Sequence, residues 1–425
     1  MRIKLNYKLI LATFLIILII AIFLGIKIVK YTIISNIKKY FPTAEIIYFE
    51  SNFNNFSLKL KDTNFIAIIY GEAFPFRASI DGDINDLSIF HSLLNGKLEF
   101  NGEIIKDNNL IIKGNSFFAK GYLNFECDLD NRICKGEGKG FDTSLLAKMI
   151  DLNLSYVKGE TDLKIDKDIV NLNTKGEFNN TIIYVPFTAK TKLMLKDNNI
   201  LFSSVISSNK IGKINITKGK FNGKVAKFIY KADDINLSSF KNLFLYPLKG
   251  FVNISGQYKD DVLRFKNKEI EGYKDKKLVI NLKMNCEDFF NYIDIKPFVK
   301  GEVSGNIQID NKGAFSLLIS NAYFLKNFFT QKLFKLTGIK IDNKLLHNIF
   351  LKGSFDNKKI DFSLVASNSN FYINFLDAKF FYPDRFESEI VLSNQNKAYK
   401  IRVKNKNFKI IEKRVKKSKQ EILVF

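Results

Sequence analysis

The chain has 425 residues, with 66 Lys and Arg against 43 Asp and Glu, for a formal net charge of +23. That length is ample for a buried core, and a hydrophobic fraction of 46% is too low for a protein that crosses a membrane many times. Three cysteines are too few for a disulfide scaffold or a cysteine-only zinc site.

Residues 1–8 carry Arg2, Lys4 and Lys8 and read as a short cytoplasmic N-terminus. From Leu9 to Ile26 the chain is apolar and uncharged, between Lys8 and Lys27. At about 1.5 Å per residue, roughly 18 to 20 apolar residues span most of a hydrocarbon core of about 30 Å. No small-x-small cleavage site follows, so an uncleaved transmembrane anchor is expected over residues 9–29, with the body exported. Residues 30–43 read as a juxtamembrane helix, because Tyr31–Tyr40 is amphipathic and Phe41-Pro42 ends it.

Over residues 44–396 the pattern changes to period two. Leu98-Glu99-Phe100-Asn101, Leu163-Lys164-Ile165-Asp166, Val252-Asn253-Ile254-Ser255 and Ile307-Gln308-Ile309-Asp310 each alternate apolar with polar residues. Such strands place apolar side chains on one face only. Short runs of Asn, Asp, Gly and Lys separate them, and six prolines interrupt the ladders little. The fold class expected is therefore mainly β: a single N-terminal transmembrane helix, then a long antiparallel sheet with short interspersed helices.

Cys127 and Cys134 flank the turn-like Asp128-Leu129-Asp130-Asn131, which suits a cross-hairpin disulfide and equally two free thiols; Cys286 stays unpaired either way. Asn153, Asn179 and Asn236 each fit an acidic-x-Asn-x-Ser/Thr glycosylation pattern. Only two histidines occur, His91 and His347, both in apolar helix-like stretches. Gly136-Glu137-Gly138-Lys139-Gly140 lacks the spacing of a phosphate loop and reads as a turn. No catalytic motif emerges, so no enzyme, metal or cofactor is expected. The stretch from Phe324 to Phe350 reads as an amphipathic cap on a sheet end, a membrane-surface contact or a helix packed on the sheet. Residues 397–425 are rich in Lys and Arg and read as a basic tail, solvated or touching anionic lipid.

Five junctions repeat a helix-like stretch followed by a glycine and a strand. Leu248-Lys249-Gly250-Phe251, Val299-Lys300-Gly301-Glu302 and Leu351-Lys352-Gly353-Ser354 are the clearest. With the N-terminal apolar run, these junctions resemble the AsmA-like family, to whose broad group TamB-type proteins belong. The resemblance implies an inner-membrane protein with a periplasmic sheet curled into an open apolar groove. It also implies conduction of phospholipid between inner and outer membrane in support of envelope integrity. The implied partners are phospholipid acyl chains, the inner membrane through the N-terminal helix, and an outer-membrane or periplasmic protein at the far end, with no nucleic acid. The groove-facing candidates are Leu98, Phe100, Leu163, Ile165, Val252, Ile254, Ile307 and Ile309. The chain is short for that family and ends in basic residues, which argues against a complete membrane-to-membrane bridge. An envelope scaffold for outer-membrane protein assembly and a component like those of lipopolysaccharide transport are the alternatives. A β-sandwich with a closed interior would show the same alternation.

Overall fold

A computed structural model describes residues 27–52, 54–89, 91–106, 108–180, 184–356, 359–382 and 385–415. These residues form 26 strands with a few short helices between them. The chain divides into two compact units. One comprises Met1–Glu177 with Thr188–Ser204 and Lys220–Lys224, and the other Phe178–Phe187, Val205–Gly219 and Val225–Phe425.

In the first unit each strand from Glu45–Ser51 to Val157–Asp166 pairs antiparallel with the next. Period-two alternation puts Phe56, Leu58, Leu60, Ala67, Ile69 and Ile80 on one buried face. Residues 27–40 are helical and lay Val29 and Ile33 onto that face. The hairpin closed by the Cys127–Cys134 disulfide holds the end of this helix, since the Tyr40 hydroxyl donates to Asp130 Oδ1 at 2.7 Å. Leu129 from the same turn packs beside it.

The expectation of a single-pass anchor is corrected here. Among the described residues no helix is long and apolar enough to cross a membrane. Residues 27–40 would extend only about 21 Å as a helix, carry four lysines, and bury their apolar side against protein. The remainder of the expected anchor, residues 9–26, lies outside the described residues. Inner-membrane localisation, attachment through an N-terminal helix and conduction between two membranes all rested on that anchor, and they are set aside with it.

In the second unit the strands from Ala226–Asn236 to Asn407–Val415 again pair each with the next, all antiparallel. The sheet curls. Ile280 and Phe408 stand eight strands apart in the pairing order, about 38 Å in a flat sheet at about 4.8 Å per strand, yet line one cavity. The residues expected to form a basic tail include two of these strands, Lys397–Lys404 and Asn407–Val415. Lys400, Arg402 and Lys404 occupy the outward face while Ile401 and Val403 are buried, and Arg402 and Lys400 reach Glu389 at 2.8 and 3.1 Å.

The glycine junctions mark the places where a helix is inserted between neighbouring strands. Cys286–Tyr292 precedes Val299–Ile309, and Phe328–Thr337 precedes Asn348–Asp356. The second of these helices starts at Asn327, whose side chain accepts from the Thr330 N–H while Thr330 Oγ1 accepts from the Asn327 N–H. It ends at Gly338, whose φ of 73° suits a residue without a Cβ.

Candidate functional site

The two curled units fill their interiors differently. Under the helix of the first unit remains a cavity of about 40 Å³, scarcely more than room for a few waters. The second unit encloses one of about 370 Å³, within the range of ligand sites. Of its 24 described lining residues thirteen are phenylalanine, and among these 24 only Tyr246 and Asn405 carry a hydrogen-bonding side chain.

Register explains why this interior is only half filled. On consecutive strands the inward residues nearer one set of hairpins face the cavity: Ile307 and Ile309, Phe315 and Leu317, Leu351 and Phe355, Ile360 and Phe362. Towards the other ends of the same strands Val303, Ile319, Ile349 and Leu364 are buried in solid packing, as is Ile373 on the next strand, Phe371–Phe381. The plug there is the helix Phe328–Thr337 and the chain after it, which insert Leu333, Ile339, Ile341 and Leu346. Phe329 at the start of that helix meets Phe375, Phe386 and Phe408 with ring centroids 5.5–6.1 Å apart, and so forms the floor of the cavity. The interior is thus closed at one end and apolar but unfilled at the other.

A second device keeps the cavity clear. Phe355 is paired across the sheet with Gly313, and Phe315 with Gly353. In each pair the ring lies down over the glycine, so a Cβ on Gly313 would fall 2.1 Å from the Phe355 ring. The missing side chain lets the phenyl group cover the neighbouring strand rather than project into the groove. The same pairing recurs at Phe100 and Gly82 and at Phe265 and Gly272.

The cavity is roofed by two loops, and a polar latch fastens them. Lys249 Nζ lies 2.8 Å from Asp294 Oδ1, and the Tyr382 hydroxyl donates to Asp294 Oδ2 at 2.5 Å. Three separate loops are thereby tied together. The hydrogen bonds from Lys249 and Tyr382 hold the Asp294 carboxyl below its usual range. Tyr246, between them, packs edge-on against Phe355 and Tyr382. It is 4% exposed, and its hydroxyl has no hydrogen-bond partner among the described residues. Burial, with Tyr382 and Asp294 nearby, pushes its pKa well above that of an ordinary phenol. A buried polar group left unpaired costs about 1–3 kcal/mol, so a neutral hydroxyl kept in this position calls for an explanation.

Of the residues picked from the sequence, Ile307 and Ile309 line the cavity. Val252 and Ile254 belong to a different cluster, with Tyr230, Ala232 and Ile235. Leu163 is buried in a small cluster around Phe141, and Ile165 packs at its edge. Phe100 packs on the core of the first unit, and Leu98 is half-buried at the start of its strand. Asn153 is exposed in a loop, Asn179 is exposed at a strand end, and Asn236 is half-buried with its side chain accepting from Ser238. His91 is buried with Nδ1 accepting from the Leu93 N–H, while His347 is exposed. Sequence reasoning missed the roof, Phe244, Tyr246, Leu248, Ile293 and Ile295, which lies at the end of the one-turn helix Lys241–Phe244 and in loops without periodicity. The available signal was the abundance of phenylalanine beside glycine on neighbouring strands.

No protein-family model matches this sequence, and no curated protein matches it. A curled, all-antiparallel sheet with an apolar groove is a fold type consistent with AsmA- and TamB-like proteins.

Proposed function

We propose that this protein binds the acyl chain of a lipid-like amphiphile in the groove of its second unit and acts by binding rather than by catalysis. The observation that carries this reading is the apolar cavity of about 370 Å³, which the fold leaves unfilled between a solid plug and a latched roof. Burial of a methylene is worth about 0.8 kcal/mol, so a chain of several carbons draws appreciable affinity from such a surface. With two hydrogen-bonding side chains in the wall, selection among ligands is by length and shape far more than by polar recognition. The fold type supports a place near the AsmA-like group, whose members hold lipid in a groove of this kind.

The test is direct. Protein purified under mild conditions is extracted and its acyl lipids are quantified by mass spectrometry against the Ile307→Asp variant. Stoichiometric acyl lipid in the wild type, lost in the variant, is the expected result. Folded wild-type protein that takes up no acyl probe would remove the proposal and leave the groove as a packing defect.

A further inference from the structure

The roof of the groove carries a feature that an indifferent apolar slot does not require. Tyr246 forms part of the cavity wall, is almost wholly buried, and leaves its hydroxyl without a partner among the described residues. A phenylalanine would fill the same space, as it does at thirteen other lining positions. Asp294 accepts from Tyr382 and pairs with Lys249, and the Tyr246 hydroxyl bonds to none of the three. The hydroxyl is therefore a spare donor at the roofed edge of an otherwise apolar chamber.

We propose that the Tyr246 hydroxyl donates a hydrogen bond to the carbonyl oxygen of a single-chain acyl compound whose hydrocarbon tail fills the cavity. This rests on the groove reading above and specifies the ligand. Size admits the whole tail: at about 10–15 Å³ of such space per water, about 370 Å³ takes on the order of 25 water- or methylene-sized groups, and a single donor at the roof meets a single carbonyl. Position selects the acyl end. Tyr246 sits beside the latch rather than on the phenylalanine floor, so the tail lies against Phe329 and the carbonyl meets the roof. The hydroxyl is closed to a water-sized atom in the unliganded arrangement. A small swing of the ring therefore accompanies binding.

The carbonyl could belong to a free carboxylate or to an ester, and the experiment separates these. The full-length protein is titrated calorimetrically with dodecanoate, monododecanoylglycerol and dodecyltrimethylammonium, the last having the same tail but no acceptor. Tyr246→Phe keeps the ring and removes the donor. The expected result is a loss of about five- to tenfold in affinity for dodecanoate, for monododecanoylglycerol, or for both, with dodecyltrimethylammonium unchanged. Whichever compound responds names the class. Equal weakening of all three, or of none, overturns the role of Tyr246 while leaving the groove intact. Ile307→Phe narrows the chamber without burying a charge and should weaken all three probes. If the wild type binds no probe, or Ile307→Phe changes nothing, the groove reading fails and this proposal with it.

Discussion

Phe362 and Leu364 stand two residues apart on the strand Lys359–Ser367 and point the same way. They make a sharp test of whether the interior is open. Leu364 is 1% exposed and lies in the solid core, so Leu364→Ala leaves a void that its neighbours cannot close. A buried leucine truncated in this way costs about 2–5 kcal/mol. In a closed sandwich Phe362→Ala would cost at least as much, about 3–5 kcal/mol, because the ring is larger. Here the ring already borders empty space, so truncation enlarges a cavity rather than creating one. What is lost is partial burial and one tilted contact with Phe386 at 6.3 Å, together about 1–2 kcal/mol. The ordering of the two variants is therefore inverted relative to side-chain size. Urea unfolding followed by circular dichroism gives both values, and transitions of the two units are fitted separately where they do not coincide. A Phe362→Ala variant at least as destabilised as Leu364→Ala would refute an unfilled groove.

Gly313→Ala would drive the Phe355 ring off its neighbour strand, costing about 1–3 kcal/mol and lowering the uptake of an acyl probe, as thermal melts and the same titrations can show. Alkylation of the unfolded, unreduced protein should modify one thiol, Cys286, and reduction should raise the count to three. In the native state Cys286 should resist modification, because it is 1% exposed and burial pushes its thiol up to about 11. Asp142 caps the helix Thr143–Lys148, accepting from the Ser144 and Leu145 N–H groups, and the Ser144 side-chain bond is the main reason its carboxyl falls to about 2. Its folded value lies below the unfolded one of about 3.9, so its stabilisation is complete above that range and fades as pH falls towards 2. Asp142→Ala should lose about 1 kcal/mol at neutral pH, and its stability curve should converge with that of the wild type in acid.

Much of the strand content was legible because it is local. Alternation at Leu163-Lys164-Ile165 or Ile307-Gln308-Ile309 identifies a strand and its apolar side without knowledge of any partner. The placement of Cys127 opposite Cys134 was legible for the same reason, since a short turn sets the two face to face, whereas the bond between them came only with the structure. The basic stretch after residue 396 misled because charge was weighed above alternation: Tyr399, Ile401 and Val403 were already the inward residues of a strand. The apolar run at 9–26 matched a membrane span in composition, whereas residues 27–40 use their apolar side on the sheet.

From the sequence alone follow antiparallel strands, the side each presents to the interior, the short helices inserted between some of them, and a hairpin that sets Cys127 opposite Cys134. Each is set by neighbours a few residues apart, through side-chain period, turn chemistry and capping. Which inward faces find a partner was decided only by the tertiary structure. Ile307 and Leu364 carry the same apolar signal, yet one borders a cavity and the other a packed core. The difference arises from how far the sheet curls and where the helix Phe328–Thr337 lodges within it. Both are set by contacts between strands remote in the chain, and period-two alternation holds no information about them.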